Sequence, residues 1–450
     1  MSKQEMSRLN KILEAASETR ALRIGQGIIN EVPDLFKEQF PDRRAIIVAD
    51  TTTYRVAGVE VFKLLKNAGI SQEEPFIYPA ADLYAEYSYI DQLTSALQKH
   101  DAIPIAVGSG TINDLTKLAS HLTGRRYMCV ATAASMDGYT AFGASITSKG
   151  AKQTFDCPAP LACLADIKII RNAPKEMTAS GYADLFAKVT AGADWILADA
   201  MGVEAIDKQA WSIIQDGLHD TLSDPQGIAA RNINAISRLT EGLMLGGFAM
   251  QRTKSSRPAS GAEHQFSHLW NMEHFLNNGE SISHGFQVSI GTLAILAFYE
   301  QVIKTPLNNL DIDVCCRLWP SPEQSDAQVL QMFAGTSLPS IGLQETRAKY
   351  LSPGKLAVQL NRLKRNWDDI RTRLSNQIVT YSEAKKRLQI VGAPTEPEDI
   401  GMTRSRLRET FIRAQYIRRR FTVLDLAVRT GYLNKWLDEI FSQTGSIWEI

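Results

Sequence analysis

From Arg44 to Thr132, short apolar runs alternate with amphipathic segments, and this rhythm constrains the fold more than any other feature of the chain. Ala45-Ile-Ile-Val-Ala-Asp50, Pro75-Phe-Ile-Tyr78, Ile103-Pro-Ile-Ala-Val107 and Tyr127-Met-Cys-Val-Ala-Thr132 read as strands. The stretches near Tyr54 to Ala68, Ile90 to Lys99 and Thr111 to Leu122 read as the helices between them. Such alternation predicts a parallel sheet covered by helices on both faces, with ligands bound at the carboxyl ends of its strands. Ahead of this region, residues 3 to 20 read as a polar-faced helix, Arg23-Ile-Gly-Gln-Gly27 as a brief strand and turn, and Val32 to Gln39 as a helix. Beyond it, strand character fades through Ala151 to Phe155 and Leu164 to Ile167, and helical patterns take over after Arg171-Asn-Ala-Pro174. The boundary is placed there, giving an α/β domain over residues 1–171 and an all-helical domain over 172–450.

The polar and glycine residues collect at the strand ends. The strand ending at Val107 runs into Gly108-Ser109-Gly110-Thr111-Ile112-Asn113-Asp114. Glycines there let the backbone approach a pyrophosphate, and the following helix turns its N–H groups and positive dipole end toward it. The third glycine of a Gly-x-Gly-x-x-Gly fingerprint is absent, with Asn113 in its place, so a tight strand-to-helix turn is the plain alternative. Asp50 ends an earlier strand, where it suits either a ribose hydroxyl or a helix cap. The next strand ends in Ala131-Thr132-Ala-Ala-Ser135-Met-Asp137-Gly138-Tyr139, small and hydroxyl-rich enough for a flat ring to lie against the backbone, with Asp137 beside it.

In the helical half the histidines cluster: four of the seven in the chain fall between His264 and His284. In Ser255-Ser-Arg257-Pro-Ala-Ser-Gly261-Ala-Glu263-His264-Gln-Phe-Ser267-His268, a helix opened by Gly261 sets His264 and His268 on one face, four residues apart. Glu263 and Ser267 are placed to hydrogen-bond such rings, and Arg257 offers a donor fork suited to a phosphate. Asp184, in Ser180-Gly-Tyr-Ala-Asp-Leu-Phe-Ala-Lys188, is a carboxylate among small and apolar residues and requires a partner. Lys188 one turn on is one candidate. A metal ion is another, since Asp184, His264 and His284 form a three-ligand set that leaves a position open. The apolar run Ile290 to Phe298 reads as a core helix behind His284, and residues 320–327 read as a linker-like break.

Lys plus Arg equals Asp plus Glu at 49 each, so no overall field draws the chain to nucleic acid or an acidic membrane. The basic runs Arg362-Leu-Lys-Arg365 and Arg418-Arg-Arg420 read as solvated helix faces. A small-molecule partner follows. Five cysteines without Cys-x-x-Cys spacing argue against a disulfide framework and for a reducing, cytoplasmic location. No apolar run approaches the roughly 18 residues of a membrane span.

Taken in order, Gly108 to Asp114, Ser135-Met-Asp-Gly-Tyr139, Gly181-Tyr-Ala-Asp-Leu-Phe-Ala-Lys188, Ser256-Arg-Pro-Ala-Ser-Gly-Ala-Glu-His-Gln-Phe-Ser-His268 and Ser283-His-Gly285 resemble the iron-containing alcohol dehydrogenase superfamily, most closely its sn-glycerol-1-phosphate dehydrogenase branch. The resemblance runs from about Leu22 to Leu424. It implies an NAD(P)-binding α/β domain and an all-helical metal- and substrate-binding domain. It matches Asp184, His264 and His284 to metal ligands, Asp137 and His268 to substrate contacts, and Gly108 to Asp114 with Thr132 and Ser135 to the NAD(P) site. Two departures stand out. Ala141 replaces a frequent serine, which removes a cofactor hydrogen bond. Lys188 stands where iron-dependent relatives carry a histidine ligand, which favours Zn²⁺ or Ni²⁺ over Fe²⁺.

The implied reaction is reversible NAD(P)H-dependent reduction of dihydroxyacetone phosphate to sn-glycerol 1-phosphate by a homo-oligomer, a dimer or larger. The metal acts as Lewis acid at the keto oxygen, with Asp184 among the groups at the reacting centre, and His268 passes a proton or fixes a hydroxyl. Arg257, by its chemistry and position, is the phosphate contact. The alternatives are a polyol dehydrogenase acting on unphosphorylated glycerol, a 3-dehydroquinate-synthase-like lyase, and a non-catalytic helical binding protein.

Overall fold

The computed structural model describes residues 12–13, 16–79, 83–148, 151–442 and 444–450. The helix predicted for residues 3 to 20 lies largely outside them. By contacts the chain forms two compact units, one of residues 1–185, 212–256 and 390–392, the other of residues 186–211, 257–389 and 393–450.

The first unit is built on a six-stranded, wholly parallel sheet. Its strands are β1 (Ala21–Gly25), β2 (Ala45–Asp50), β3 (Phe76–Tyr78), β4 (Ile103–Gly108), β5 (Met128–Ala131) and β8 (Ala162–Asp166), in the order β1-β8-β5-β4-β2-β3. The central strands are buried along almost their whole length while the edges β1 and β3 are only partly covered, as a sheet packed on both faces requires. Residues of one parity, among them Ile47, Ile105, Val130 and Leu164, meet Val32, Leu35 and Phe36 of helix α1 (Val32–Gln39). The crossovers run through α2 (Val59–Asn67), α3 (Tyr87–Leu97) and α4 (Gly110–Leu122).

Two sequence expectations change here. Strand character does not fade after Thr132: β8 is fully buried between β1 and β5, and β6 (Ala144–Ser148) pairs with β7 (Ala151–Phe155) as an antiparallel hairpin. The Ala-Cys-Leu-Ala-Asp of β8 hides its strand because burial on both faces selects small apolar residues instead of an alternating pattern. The boundary at residue 171 follows the end of the sheet, yet helices α5 (Lys175–Phe186), up to Leu185, and α7 (Ile233–Thr253) cluster with the sheet-bearing unit. Finally, residues 320–327 are not a break. Ser321 caps a helix over Pro322–Met332, with reciprocal bonds to Gln324 and proline at the first helical position.

The second unit is helical. It includes α6 (Lys188–Ala200), α8 (Ala262–Met272), α9 (His284–Lys304), α10 (Pro353–Gln377) and α11 (Val423–Thr430). Helix α9 overturns the expectation that no run reaches membrane length, since it is long and apolar enough by length and composition, at mean hydropathy 1.4. Of that apolar stretch 78% is buried inside the protein, as in the core helix predicted behind His284. Arg362 and Arg365 lie exposed on α10 as predicted. The Arg418–Arg420 run, in contrast, follows the short helix Ala414–Ile417 as extended chain, where Arg419 pairs with Glu345 and Arg420 donates to the Ser260 carbonyl.

Close approach of α5 to the loop after β5 depends on one glycine. A Cβ on Gly181 would stand 2.0 Å from the Ala134 carbonyl oxygen, a backbone atom that no rotamer change can move. Gly181→Ala is therefore expected to destabilise the protein by about 1–3 kcal/mol, read from urea unfolding.

Candidate active site

The glycine turn opens at the end of β4, and Gly110 begins α4 directly, with no side chain capping the helix from Ser109. From β2 the chain leaves toward β3 on one side, and from β4 toward β5 on the other, so the sheet's topological switch lies between β2 and β4. Ligands of open parallel sheets bind at that point, beyond the carboxyl ends of the strands. Gly108, Ser109, Gly110 and Thr111 stand there, and Thr132 is tied in by its N–H to the Gly108 carbonyl, 3.1 Å. Asp50 ends β2 beside them and caps the following turn, accepting from the N–H groups of Thr52 (2.7 Å) and Thr53 (2.9 Å).

Two members of the predicted cradle have other work for their side chains. Asn113 is buried, donates to the Gly138 carbonyl and accepts from the Tyr127 hydroxyl at 3.0 Å. Asp114 accepts from the Ser145 N–H and lies 3.5 Å from Lys117 Nζ. The helix turn that presents Gly110 and Thr111 outward carries these two toward the segment 138–145, so they brace the cradle from within. Lys117, which the sequence reading passed over, completes this brace. Its fully buried ammonium donates to the carbonyls of Gly138, Ala141 and Gly143 at 2.9–3.0 Å. A lysine in an amphipathic helix ordinarily reads as solvent-facing; its spacing of one turn from Asn113 was the only hint. Thr140 ties the same loop to α7 through the Met244 carbonyl, 2.6 Å, and Gln251 donates to the Thr140 carbonyl.

Asp137 sits at the start of that loop, half-buried, and its N–H donates to Asp184 Oδ2 at 3.0 Å. The Ser135 carbonyl accepts from Ser180 on α5. Asp184 is fully buried. Asp184, His264 and His284 each offer one ligand atom, and these atoms lie within 4.8 Å of one another. The donor set fits a divalent metal: one carboxylate oxygen and two imidazoles, each ring oriented from behind. His264 Nδ1 meets Glu263 Oε1 at 2.7 Å, and His284 Nδ1 meets Ser267 Oγ at 3.3 Å, so Nε2 is the ligating nitrogen of a metal-bound ring in both. Ser267 is itself fixed by donation to Gln287, 2.8 Å. His268, one turn beyond His264 on α8, is half-buried and outside the ligand set.

Two buried carboxylates hold the start of α8. Asp194 accepts from the N–H groups of Ala262 and Val423 at 2.7 Å and from the Tyr299 hydroxyl at 2.6 Å. Glu263 accepts from the Gly261 N–H at 2.6 Å and the Thr190 hydroxyl at 2.8 Å, besides the His264 ring. Burial would raise Glu263, but these donors, His264 first, outweigh it and hold the carboxyl below its ordinary value. Burial, followed by the charge on Glu263, pushes Asp194 up to about 7 against the Tyr299 hydrogen bond. A Cβ on Gly261 would lie 2.5 Å from Asp194 Oδ2 and 2.8 Å from Glu263 Oε2, so only glycine leaves room for both acids.

Arg257 corrects the sequence reading. It is fully buried, donates to the carbonyls of Phe421 and Asp194 at 2.9 Å, and pairs with Glu204 at 3.3 Å. A guanidinium committed to two main-chain carbonyls and a carboxylate is a structural clamp and is not presented to a substrate phosphate.

Comparison with known proteins places this architecture. The family described as iron-containing alcohol dehydrogenase matches residues 23–174. A glycerol-1-phosphate dehydrogenase [NAD(P)+] of Halalkalibacterium halodurans is 36% identical over 285 residues, covering 63% of this chain and 71% of the relative. One from Pyrococcus horikoshii is 32% identical over 280 residues, covering 62% of this chain and 78% of the relative. Among solved structures, a glycerol dehydrogenase from Schizosaccharomyces pombe superposes with TM-score 0.58 at 15% identity, over 94% of this chain and 92% of that one. The chain belongs to the iron-containing alcohol dehydrogenase family, and the relatives above place it with the glycerol-1-phosphate dehydrogenases.

Replacing Lys117 by Met takes the ammonium donor from the Ala141 and Gly143 carbonyls and leaves the Gly138 carbonyl to Asn113 and the Ala141 N–H. The expected result is a loss of at least about 3 kcal/mol in urea unfolding, with faster amide hydrogen exchange across residues 138–143. For Asp194, whose pKa is higher folded than unfolded, the stabilising contribution is full below about pH 4 and is lost as pH rises through 7. Thermal midpoints measured from pH 4 to 8 should fall in the natural protein over that window, and the fall should be shallower in Asp194→Asn.

Proposed function

We propose that this protein is an NAD(P)H-dependent, metal-dependent dehydrogenase that reduces dihydroxyacetone phosphate to sn-glycerol 1-phosphate, reversibly. The observation that carries the reading is the Asp184, His264 and His284 ligand set in a chain 36% identical to a glycerol-1-phosphate dehydrogenase [NAD(P)+]. In this reading residues 1–171 bind the dinucleotide and residues 172–450 bind metal and substrate, in a homo-oligomer.

The Gly108 to Thr111 turn, with Thr132 and Ser135, would receive NAD(P), its pyrophosphate at the start of α4 and Asp50 near the ribose. Asp184, His264 and His284 would hold a divalent ion, which supplies Lewis-acid polarisation of a carbonyl when bound. Asp137, fixed through its own N–H on Asp184, orients substrate hydroxyls from the loop that Lys117 anchors. His268 stands one turn from His264 and is the group that hands a proton to the developing alkoxide oxygen or fixes a neighbouring hydroxyl. Lys188 at the position four after Asp184 supports Zn²⁺ or Ni²⁺ over Fe²⁺. The alternative, a polyol dehydrogenase acting on unphosphorylated glycerol, gains one observation: the burial of Arg257 removes the phosphate contact first assigned.

The test is NADH oxidation with dihydroxyacetone phosphate, dihydroxyacetone and glyceraldehyde 3-phosphate side by side. Dihydroxyacetone phosphate is expected to exceed dihydroxyacetone in kcat/KM by at least about 100-fold, roughly 2.7 kcal/mol of transition-state binding. Chelation should abolish turnover, Zn²⁺ or Ni²⁺ should restore it, and Asp184→Ala should stay inactive after metal is added. A ratio within about tenfold transfers the assignment to the polyol dehydrogenase.

A further inference from the structure

The two imidazoles of the ligand set have partners of different kinds. Glu263 meets His264 Nδ1 at 2.7 Å, and an ionised carboxylate only accepts, so this partner by itself keeps the ring hydrogen on Nδ1. His284 Nδ1 instead meets the hydroxyl of Ser267, at 3.3 Å. A hydroxyl both donates and accepts, so it permits either tautomer of the ring. With the hydrogen on Nε2, that nitrogen would have no lone pair for a cation. What decides the direction of the Ser267 hydroxyl lies one residue further back.

Ser267 and Asn271 stand one turn apart on α8, and Gln287 stands one turn after His284 on α9. Ser267 Oγ donates to Gln287 Oε1 at 2.8 Å, Gln287 Nε2 donates to Asn271 Oδ1 at 3.2 Å, and Asn271 Nδ2 donates back to Ser267 Oγ at 3.4 Å. The three side chains close a ring in which each gives a hydrogen to the next. The direction of the ring is set at one point, where Gln287 Nε2 also donates to the Ile282 carbonyl at 3.2 Å. A main-chain carbonyl only accepts, so turning the Gln287 amide over would set oxygen against oxygen there. Gln287 Oε1 therefore faces Ser267 and takes its single hydrogen. What the hydroxyl has left for His284 is a lone pair. Ser267 and Gln287 are 0% and 2% exposed, which keeps water from supplying an alternative partner.

We propose that Gln287, held by Asn271 and the Ile282 carbonyl, is a positioning residue for the metal: it directs the Ser267 hydroxyl so that His284 carries its hydrogen on Nδ1 and presents Nε2 as the ligand. The inference rests on the metal-dependent reading of Asp184, His264 and His284, and adds to it a residue that acts on the ion through two others. His264 and His284 thus reach the same tautomer by separate means, one through a charge and the other through a neutral ring.

Two readouts test it, the first without metal. In metal-free protein labelled with ¹⁵N-histidine at about pH 8, above the ordinary imidazole pKa, long-range ¹H–¹⁵N spectra read the tautomer of each ring, and His284→Asn identifies the His284 signal. His284 is expected in the Nδ1–H form in the natural protein and to acquire the Nε2–H form in Gln287→Leu, while the His264 signal stays in place. The second readout is Zn²⁺ affinity by competition with a chromophoric chelator, which is expected to fall about 10–100-fold in Gln287→Leu. Gln287→Glu keeps an acceptor for Ser267 but cannot donate to Asn271 or Ile282. It is expected to retain the natural tautomer and a Zn²⁺ affinity no more than about threefold weaker than natural. A loss in Gln287→Glu as large as in Gln287→Leu would mean that the amide only packs the two helices, and would overturn the proposal. An Nε2–H signal for His284 in the natural protein would do the same. Should Gln287→Leu fail to fold, as read by circular dichroism, Ser267→Ala takes its place with the same expected changes. Equal Zn²⁺ affinity in the natural and Gln287→Leu proteins overturns this inference alone, whereas a natural protein that binds Zn²⁺ no better than His284→Asn overturns the metal reading along with it.

Discussion

A carboxylate removed from water must be given donors, and the helical unit is organised by how it meets that demand at Asp194 and Glu263. Between them the two acids use the first N–H groups of α8, a tyrosine, a threonine, the main chain at Val423 and the ring of His264. A helix N-terminus presents unpaired N–H groups and partial positive charge, so placing acids there satisfies both sides at once. The cost of burying two negative groups side by side is visible in the raised pKa of Asp194. What the arrangement secures is the direction of one imidazole: with Nδ1 fixed on Glu263, the His264 ring has a single orientation in which to meet a cation.

The sheet-bearing unit solves a different problem, the placing of a loop rich in small residues that cannot pack itself. Lys117 gathers three carbonyls of that loop onto one charge, and α7 receives Thr140 from the other side. The loop is thereby fixed by its main chain on both sides of Asp137. Because the Asp137 N–H also binds Asp184, the residue that would touch substrate and the one that would touch metal share a single hydrogen bond. Displacement of either is felt by the other without any intermediary.

Much of this was legible in the residues alone. Helix α1 and strands β2, β3, β4 and β5 announced themselves because apolar runs bounded by glycine, proline and acids have few other uses. The Asp184, His264 and His284 set was legible because histidines are scarce and a carboxylate among small and apolar residues requires a partner, whereas spacing on one helix pointed to His268, which lies outside the set. What escaped shares one cause: periodicity reports which side of an element is buried, not what a buried polar side chain reaches. Lys117, Asp194 and Arg257 are all charged and all buried, and a charged residue in a sequence defaults to solvent or to substrate. Strand β8 escaped for a related reason, since its two alanines favour helix over strand and burial on both faces removes the alternation that marks a strand.

The stretch from Ser255 to His268 divides into two halves with separate duties. Its second half aims imidazoles, whereas Arg257 in its first half bolts the chain entering α8 to Phe421, Asp194 and Glu204. Grafting this stretch into another chain would transplant a mounting bracket together with the instrument. Unless the recipient already offered the matching carbonyls and acids, the graft would be read out as lost folding before any change in the molecule it turns over.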